Sequence, residues 1–432
     1  MLYQDCNMKT IWKYYSLFAV ASVLLLPSCT SKDAPIPEVP DDPASPEVVI
    51  ELPELTKAEQ ALGAQANKLG FAAFSAISQQ EENRGKDLFY SPLSLGMNLS
   101  MVAMGAREKT RNQIQDVLGF ADASISEVNE YYQKLSTILS GIDPAVIFEN
   151  ANSIWVQEDF PVKSDFQEGL STYYSADSRV VNFKTKAAQQ AIEKWCSEKT
   201  HGRIDKIDEL SPNTVVTLIN ALYFKGAWGV EFGKKLEEKP FTHSDNNTTT
   251  ESFFSGGVIV GYEQTEQLAA ISIPFSNFLD FTFNFIVFLP KQVSSGKEMG
   301  ALLEQAGQLL IDALTTNGPD FMRVSLPKFT IQQNQYLRTV LTSLGVKDAF
   351  DKDLSDFTGI SDKKPLWIDD IAQYTWLAVD ETGCEAAAAT LEALAWANLD
   401  APEPPSFVAD RPFAFAIQEK TTGALLFMGI KQ

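Results

Sequence analysis

The chain has 432 residues, 45% hydrophobic and 21% charged, enough apolar material for one large core or two ordinary ones and too much for a wholly disordered protein. Its 35 Lys and Arg against 56 Asp and Glu leave a formal charge of -21, which repels a phosphate backbone and argues against nucleic acid as a partner. Two His and four Cys are too few for zinc clusters or other sites that use several such ligands, so no metal and no cofactor is expected.

The first segment reads as an export signal. Lys9 and Lys13 precede and flank the start of an apolar run over residues 14–26, which is shorter than the about 20 residues a membrane span needs, and small residues lead to Cys29. An uncut membrane anchor is the other reading of this run. Residues 29–56 then carry Pro35, Pro37, Pro40, Pro43, Pro46 and Pro53 among acidic residues. That composition favours extended, solvated chain and reads as a tether, with an embedded recognition motif as the alternative.

From Lys57 the pattern becomes that of a packed domain, and no second linker of similar composition follows, so residues 57–432 are expected to form one α+β domain. Leu62, Ala66, Leu69, Ala73 and Ile77 recur at helical spacing and predict a helix over 61–78. Residues 215–219, 268–274 and 281–289 are short, β-branched or aromatic and partly alternating, the mark of strands. In the last of these Phe281, Phe283 and Phe285 share one face, with Thr282 and Asn284 on the other. A helical pattern occupies 298–315, a strand pattern 366–379, and residues 413–418 and 424–430 flank a Thr421-Thr422-Gly423 turn, which predicts a hairpin.

Enzyme chemistry finds little to work with. A serine nucleophile would need His201 or His243 as its base; the first lies in a turn that ends a helix, and the second sits beside Ser244 and Asp245, whose side chains diverge from it. The chain has no G-x-S-x-G, H-E-x-x-H, phosphate-loop or C-x-x-C motif. Carboxylate-only mechanisms leave no spacing to read among 56 acids.

One segment stands apart. Residues 381–396 read E-T-G-C-E-A-A-A-A-T-L-E-A-L-A-W, followed by Pro402, Pro404 and Pro405. Propensity alone predicts a helix over 384–397, because Ala, Leu and Glu dominate it. Its flanks, two predicted strands, suggest instead an exposed connection able to enter a sheet, where small side chains avoid clash and desolvation.

At these residues the chain closely resembles the serpins, the suicide protease inhibitors with a reactive loop. Glu381, Gly383, Glu385, Ala386, Ala387, Ala388, Ala389 and Thr390 match the hinge of inhibitory members, while Cys384 replaces the usual Thr or Ser. The resemblance continues in order through Ser91-Pro92-Leu93-Ser94-Leu95, Met104-Gly105-Ala106, Asn152-Ser153-Ile154-Trp155, the nine residues from Asn220 to Trp228, Leu326-Pro327-Lys328-Phe329, Leu344-Gly345-Val346 and Phe407 to Phe413. It implies three β-sheets, eight or nine helices, an exposed loop over about 381–406, a monomer, and a target protease as partner. It further implies that the cut bond follows the seventeenth residue counted from Glu381, which is Ala397-Asn398; counting back from Phe407 also allows the bond after Asn398 or Trp396. A small residue there suits an elastase-like serine endopeptidase, with a cysteine endopeptidase as a second class.

Ser91, Ser94 and Asn220 match a buried cluster that controls sheet opening in the family, and Gln373 stands where a histidine is expected. Cys29, three residues after Leu26, resembles the lipidated cysteine of bacterial lipoproteins, which implies removal of residues 1–28, a lipid anchor in a membrane and an exported location. Cys196 and Cys384 would then be the remaining thiols, able to pair in an oxidising compartment. A serpin-fold protein that binds without inhibiting is the rival expectation; its hinge would typically carry charged or bulky residues.

Overall fold

The computed structural model describes residues 52–120, 122–276, 282–384 and 403–432. Cys29, the hinge from Glu385 to Thr390 and the bond Ala397-Asn398 lie outside the described residues.

Eight α-helices are described: α1 (Lys57–Ser78), α2 (Pro92–Gly105), α3 (Glu108–Leu118), α4 (Ile125–Gly141), α5 (Ser164–Tyr174), α6 (Lys186–Lys199), α7 (Gly296–Thr316) and α8 (Arg338–Leu344). The strands are β1 (Leu88–Tyr90), β2 (Ile147–Gln157), β3 (Asp177–Val181), β4 (Val216–Ala227), β5 (Glu237–Thr242), β6 (Thr248–Gln264), β7 (Leu268–Phe275), β8 (Phe283–Pro290), β9 (Asp320–Pro327), β10 (Phe329–Tyr336), β11 (Asp370–Asp380), β12 (Gly383–Cys384), β13 (Ser406–Val408), β14 (Phe413–Glu419) and β15 (Leu425–Lys431).

Local signals explain many of the boundaries. Thr56, Ser124 and Ser295 cap α1, α4 and α7 in reciprocal boxes with Glu59, Glu127 and Glu298, so these helices begin where a cap and a glutamate three residues on coincide. Ser91 caps α2, Pro92 occupies its first position, and apolar residues surround the helix almost completely; such a helix is stable only when buried on all sides. The predicted carboxyl-terminal hairpin forms as β14 and β15, with Gly423 at φ 73° in the turn.

The strands form two hydrogen-bonded sheets. One has six strands in the order β10-β11-β12-β4-β2-β3; the other has nine, in the order β1-β15-β14-β8-β7-β6-β9-β13, with β5 on β6. Three separate sheets were expected. A single 17-residue strand removes one division: β6 pairs with β5 and β9 through its first part and with β7 through residues 261–264. The alternation expected at 281–289 is also modified, since every residue of β8 is buried, Asn284 included, because this part of the sheet is covered on both faces.

The six-stranded sheet separates two apolar clusters. Leu218, Leu222, Phe224, Ile371, Leu377 and Val379 face the large core that contains α2 and the nine-stranded sheet. Ile219, Ala221, Ala372 and Tyr374 face a smaller cluster completed by Ile192, Trp195 and Cys196 of α6.

Candidate functional site

The chain turns back on itself at the end of β11. Asp380 and Gly383 are register partners, so Glu381 and Thr382 form a two-residue hairpin, and Asp380 Oδ1 accepts from Thr382 N (2.8 Å) and Thr382 Oγ1 (2.6 Å). Gly383 has φ 145°, a backbone region that side chains with a Cβ rarely enter. Trp228 clamps the hairpin from the neighbouring strand: its Nε1 donates to Asp380 O at 2.8 Å and its N to Thr382 O at 3.1 Å, while its ring stacks on Phe275 at 4.9 Å. Lys328 Nζ lies 3.5 Å from the carboxylates of both Asp380 and Glu381.

The hairpin delivers β12 into the sheet. Gly383 and Cys384 lie between β11 and β4, antiparallel to both: Cys384 faces Val379 on one side and Gly226 on the other. The predicted helix over 384–397 is therefore wrong at its first residue, where sheet pairing overrides propensity. Further along the seam, residues 370–375 of β11 pair directly with 217–222 of β4 in parallel register. Val379 and Gly226, the partners of Cys384, differ by the same 153 positions as Gln373 and Asn220, which pair with each other.

The residues singled out from sequence meet at this lower seam. Gln373 Oε1 accepts from Ser91 N at 3.0 Å and its Nε2 donates to Ser91 O at 3.0 Å. Ser91 Oγ in turn accepts from Ser94 N at 3.1 Å, and Ser94 Oγ accepts from Asn98 Nδ2 at 3.3 Å. Across the seam Asn220 Nδ2 reaches Asn150 Oδ1 (2.6 Å), Asn152 Oδ1 (2.9 Å) and Ala151 O (2.9 Å), while Asn220 Oδ1 has no partner among the described residues. Ser91, Ser94, Asn220 and Gln373 are each 0% exposed. The amide supplies one acceptor and one donor to the backbone of a single residue, giving Ser91 N its partner and Ser91 O a second one beside Leu95 N at 3.1 Å.

Sequence reasoning missed Asn98, Asn150 and Thr375, whose Oγ1 donates to Phe89 O at 3.1 Å. For Asn98 and Thr375 the signal was polarity inside otherwise apolar helix and strand runs, because a buried polar side chain is kept there by a partner; Asn150, half-buried in a polar stretch, carried no such signal.

Cys196 and Cys384 are both free and buried, in different apolar clusters, so the possible pairing between them is not formed. Burial pushes the Cys196 thiol up to about 12 and raises that of Cys384 well above its ordinary value, with Asp380 adding to the second shift. The two histidines serve locally: His201, just after α6 at φ 50°, has Nε2 3.0 Å from Glu149, and His243 Nε2 lies 2.8 Å from Thr249 Oγ1.

These features describe a class of protein: a large α+β domain whose main sheet holds the start of a chain segment, Gly383 and Cys384, between two central strands. Residues 64–431 match the family described as "Serpin (serine protease inhibitor)", and the chain belongs to the serpin family. An uncharacterized serpin-like protein of Thermococcus kodakarensis is 30% identical over 84% of this chain and 83% of its own length. The crystal structure of the thermophilic serpin tengpin in the native state superposes with a TM-score of 0.75 at 28% identity, covering 88% of this chain and 95% of that one. Human thyroxine-binding globulin has the same fold, with a TM-score of 0.75, 22% identity, and 85% and 98% coverage. Members of the family are generally protease inhibitors, and binding proteins occur among them.

Proposed function

We propose that this serpin is a suicide inhibitor of an elastase-like serine endopeptidase, with the bond Ala397-Asn398 as bait. The protease nucleophile attacks the Ala397 carbonyl, the Asn398 amine leaves, and an acyl-enzyme remains on the shortened chain. Residues from Glu385 onward then enter the seam below Cys384 and carry the protease with them before water frees it.

The observation that carries this reading is the seating of β12. The first inserted pair already lies between β11 and β4, and those strands pair with each other further down in the same relative register. Each inserted residue can therefore take up ladder bonds without either strand sliding. Continued downward, this register places Thr390 between Gln373 and Asn220. An added strand of about 12 residues gains about 10 ladder bonds at a net ~0.5–1.5 kcal/mol each. That sum is comparable with the ~5–15 kcal/mol that holds a protease folded, so insertion can deform one. The small hinge residues Ala386 to Ala389 support inhibition over simple binding, and a small Ala397 supports an elastase-type primary pocket.

We place the protein outside the cytoplasm, anchored by lipid at Cys29 and held off the membrane by the proline-rich segment, on the strength of the amino-terminal pattern.

The test is incubation with pancreatic-type elastase, read by denaturing electrophoresis and mass spectrometry. A denaturant-resistant complex and a released peptide 398–432 are expected. Cleavage without a complex would mean that the protein is a substrate.

A further inference from the structure

The outward face at the far edge of the nine-stranded sheet carries an unusual combination of side chains. Ile259 and Phe321 are direct register partners on β6 and β9, yet they are 58% and 54% exposed. The floor beside them is nearly flat, because Gly257 lies under the Phe321 ring, so close that a Cβ there would come within 2.8 Å of it. Two residues along β9, the exposed Arg323 forms no ion pair among the described residues. These residues, apart from Ile259, border a depression of about 750 Å³ whose lining also includes Glu237, Glu403 and Pro404.

The same face anchors the chain that returns from the reactive bond. Ser406 pairs with Arg323 in parallel register, and Arg323 N donates to Pro405 O at 2.9 Å. Asn398 precedes Glu403 by five residues, which at ~3.3–3.6 Å each cannot span more than about 18 Å. A protease of about 230 residues has a radius of gyration of about 17 Å. An enzyme holding Ala397-Asn398 is therefore kept within reach of this anchored edge. A second copy of the chain is a poor occupant, because each copy carries a formal charge of -21.

We propose that the Phe321 face is a docking surface for the body of the target protease, separate from the pocket that takes the bait. It fits a partner surface with apolar side chains opposite Phe321 and Ile259 and a carboxylate opposite Arg323. An exposed aromatic and an arginine beside a small-residue floor are the residue types that most often dominate protein interfaces. This proposal rests on the inhibitory reading and adds to it a determinant of which protease is captured and how fast.

The experiment compares wild type with Phe321→Ala, Arg323→Ala and, as a control elsewhere on the surface, Leu354→Ala, whose side chain at 58% is as exposed as that of Ile259. Second-order rates and stoichiometry of elastase inactivation are measured, with thermal unfolding to verify each fold and a free peptide 385–402 as a comparison substrate. Docking predicts that Phe321→Ala and Arg323→Ala each lower the rate about five- to tenfold with stoichiometry unchanged, that Leu354→Ala does not, and that the free peptide is cut more slowly than folded wild type. Rates for Phe321→Ala and Arg323→Ala equal to that of Leu354→Ala overturn it. If wild type is cut without forming a complex, the inhibitory reading fails, and docking is then decided by the cleavage rates of folded wild type and Phe321→Ala, equality again overturning it. If elastase leaves folded wild type uncut, both proposals fail for this protease class.

Discussion

The side chain of Gln373 and the backbone of Ser91 form a closed pair: one amide accepts from Ser91 N and donates to Ser91 O, both at 3.0 Å, in a fully buried site. The pair joins the sheet strand β11 to the start of the central helix α2 at the level where the seam is still shut. Opening the seam for a new strand must work against this joint. Gln373→Ala leaves the buried Ser91 N–H without a partner, at about 1–3 kcal/mol if water does not enter, while Ser91 O keeps the bond it accepts from Leu95 N at 3.1 Å. The native form should lose about 1–3 kcal/mol in denaturant unfolding, with faster amide exchange in β4 and β11; unchanged stability would show that the pair holds nothing.

Cys384 is 0% exposed and packs in the main core, so its position accepts only a small side chain. Cys384→Arg should turn an inhibitor into a substrate, because the charged side chain cannot be desolvated at the entry point. The stoichiometry of inhibition should rise several-fold while the cleavage rate stays the same. Native protein should also resist thiol reagents at both Cys196 and Cys384 until denatured, since only the thiolate reacts and burial disfavours it.

Glu392 poses a specific problem for full insertion. In the register set by β12 it would lie between Ile371 and Leu218, two side chains of the large apolar core, and on their side of the sheet. A carboxylate there lacks a compensating charge and costs several kcal/mol. Glu392→Leu should leave the uncut form unchanged in denaturant titration and make the cleaved form distinctly more resistant. Equal midpoints for the two cleaved proteins would mean that insertion stops short of this residue or follows another register.

Burial raises the Asp370 carboxyl above its usual range, although its Oδ1 accepts from Ile371 N at 2.7 Å and Arg338 N at 3.1 Å. A raised folded-state value means that ionisation opposes the fold: the penalty is absent at low pH, where both states are protonated, and grows as pH rises through the raised value. Asp370→Asn keeps an acceptor and removes the charge. Its thermal midpoint should match wild type near pH 3.5 and exceed it at pH 7; an excess independent of pH would refute this account.

Trp228→Phe keeps the stack on Phe275 and deletes the bond to Asp380 O, a loss of about 1 kcal/mol, whereas Trp228→Ala also empties the aromatic pocket and should cost about 3–5 kcal/mol. Hydrogen exchange at Gly383 and Cys384 should speed up in both, since the hairpin that seats β12 loses its clamp.

Much of this protein was legible in its residues. The turn at Gly423 and the alternating or apolar runs of β7, β8, β11 and β14 are local signals, and local signals survive without tertiary context, whereas α1 starts four residues before the predicted position 61, at the Thr56 cap. Ser91, Ser94, Asn220 and Gln373 could be named beforehand, and the order of the motifs pointed to one family. The extent of β4 beyond residue 219 was harder to see, because Asn220, Lys225 and Gly226 interrupt the strand pattern and are tolerated only by their partners.

Sequence by itself determined the run of small residues from Ala386 to Ala389, the scarcity of histidine and cysteine and the proline-rich composition of residues 29–56. Only the tertiary structure decided that Gly383 and Cys384 form a strand and not the start of a helix, that β6 joins two sheets the resemblance had led us to separate, and that Cys196 and Cys384 lie in different cores. The physical reason is common to all three. A helix can be read from neighbours along the chain, but strand pairing and burial depend on residues elsewhere in it, such as Val379 and Gly226, 5 and 158 positions from Cys384, and their energy appears only when the chain has brought them together.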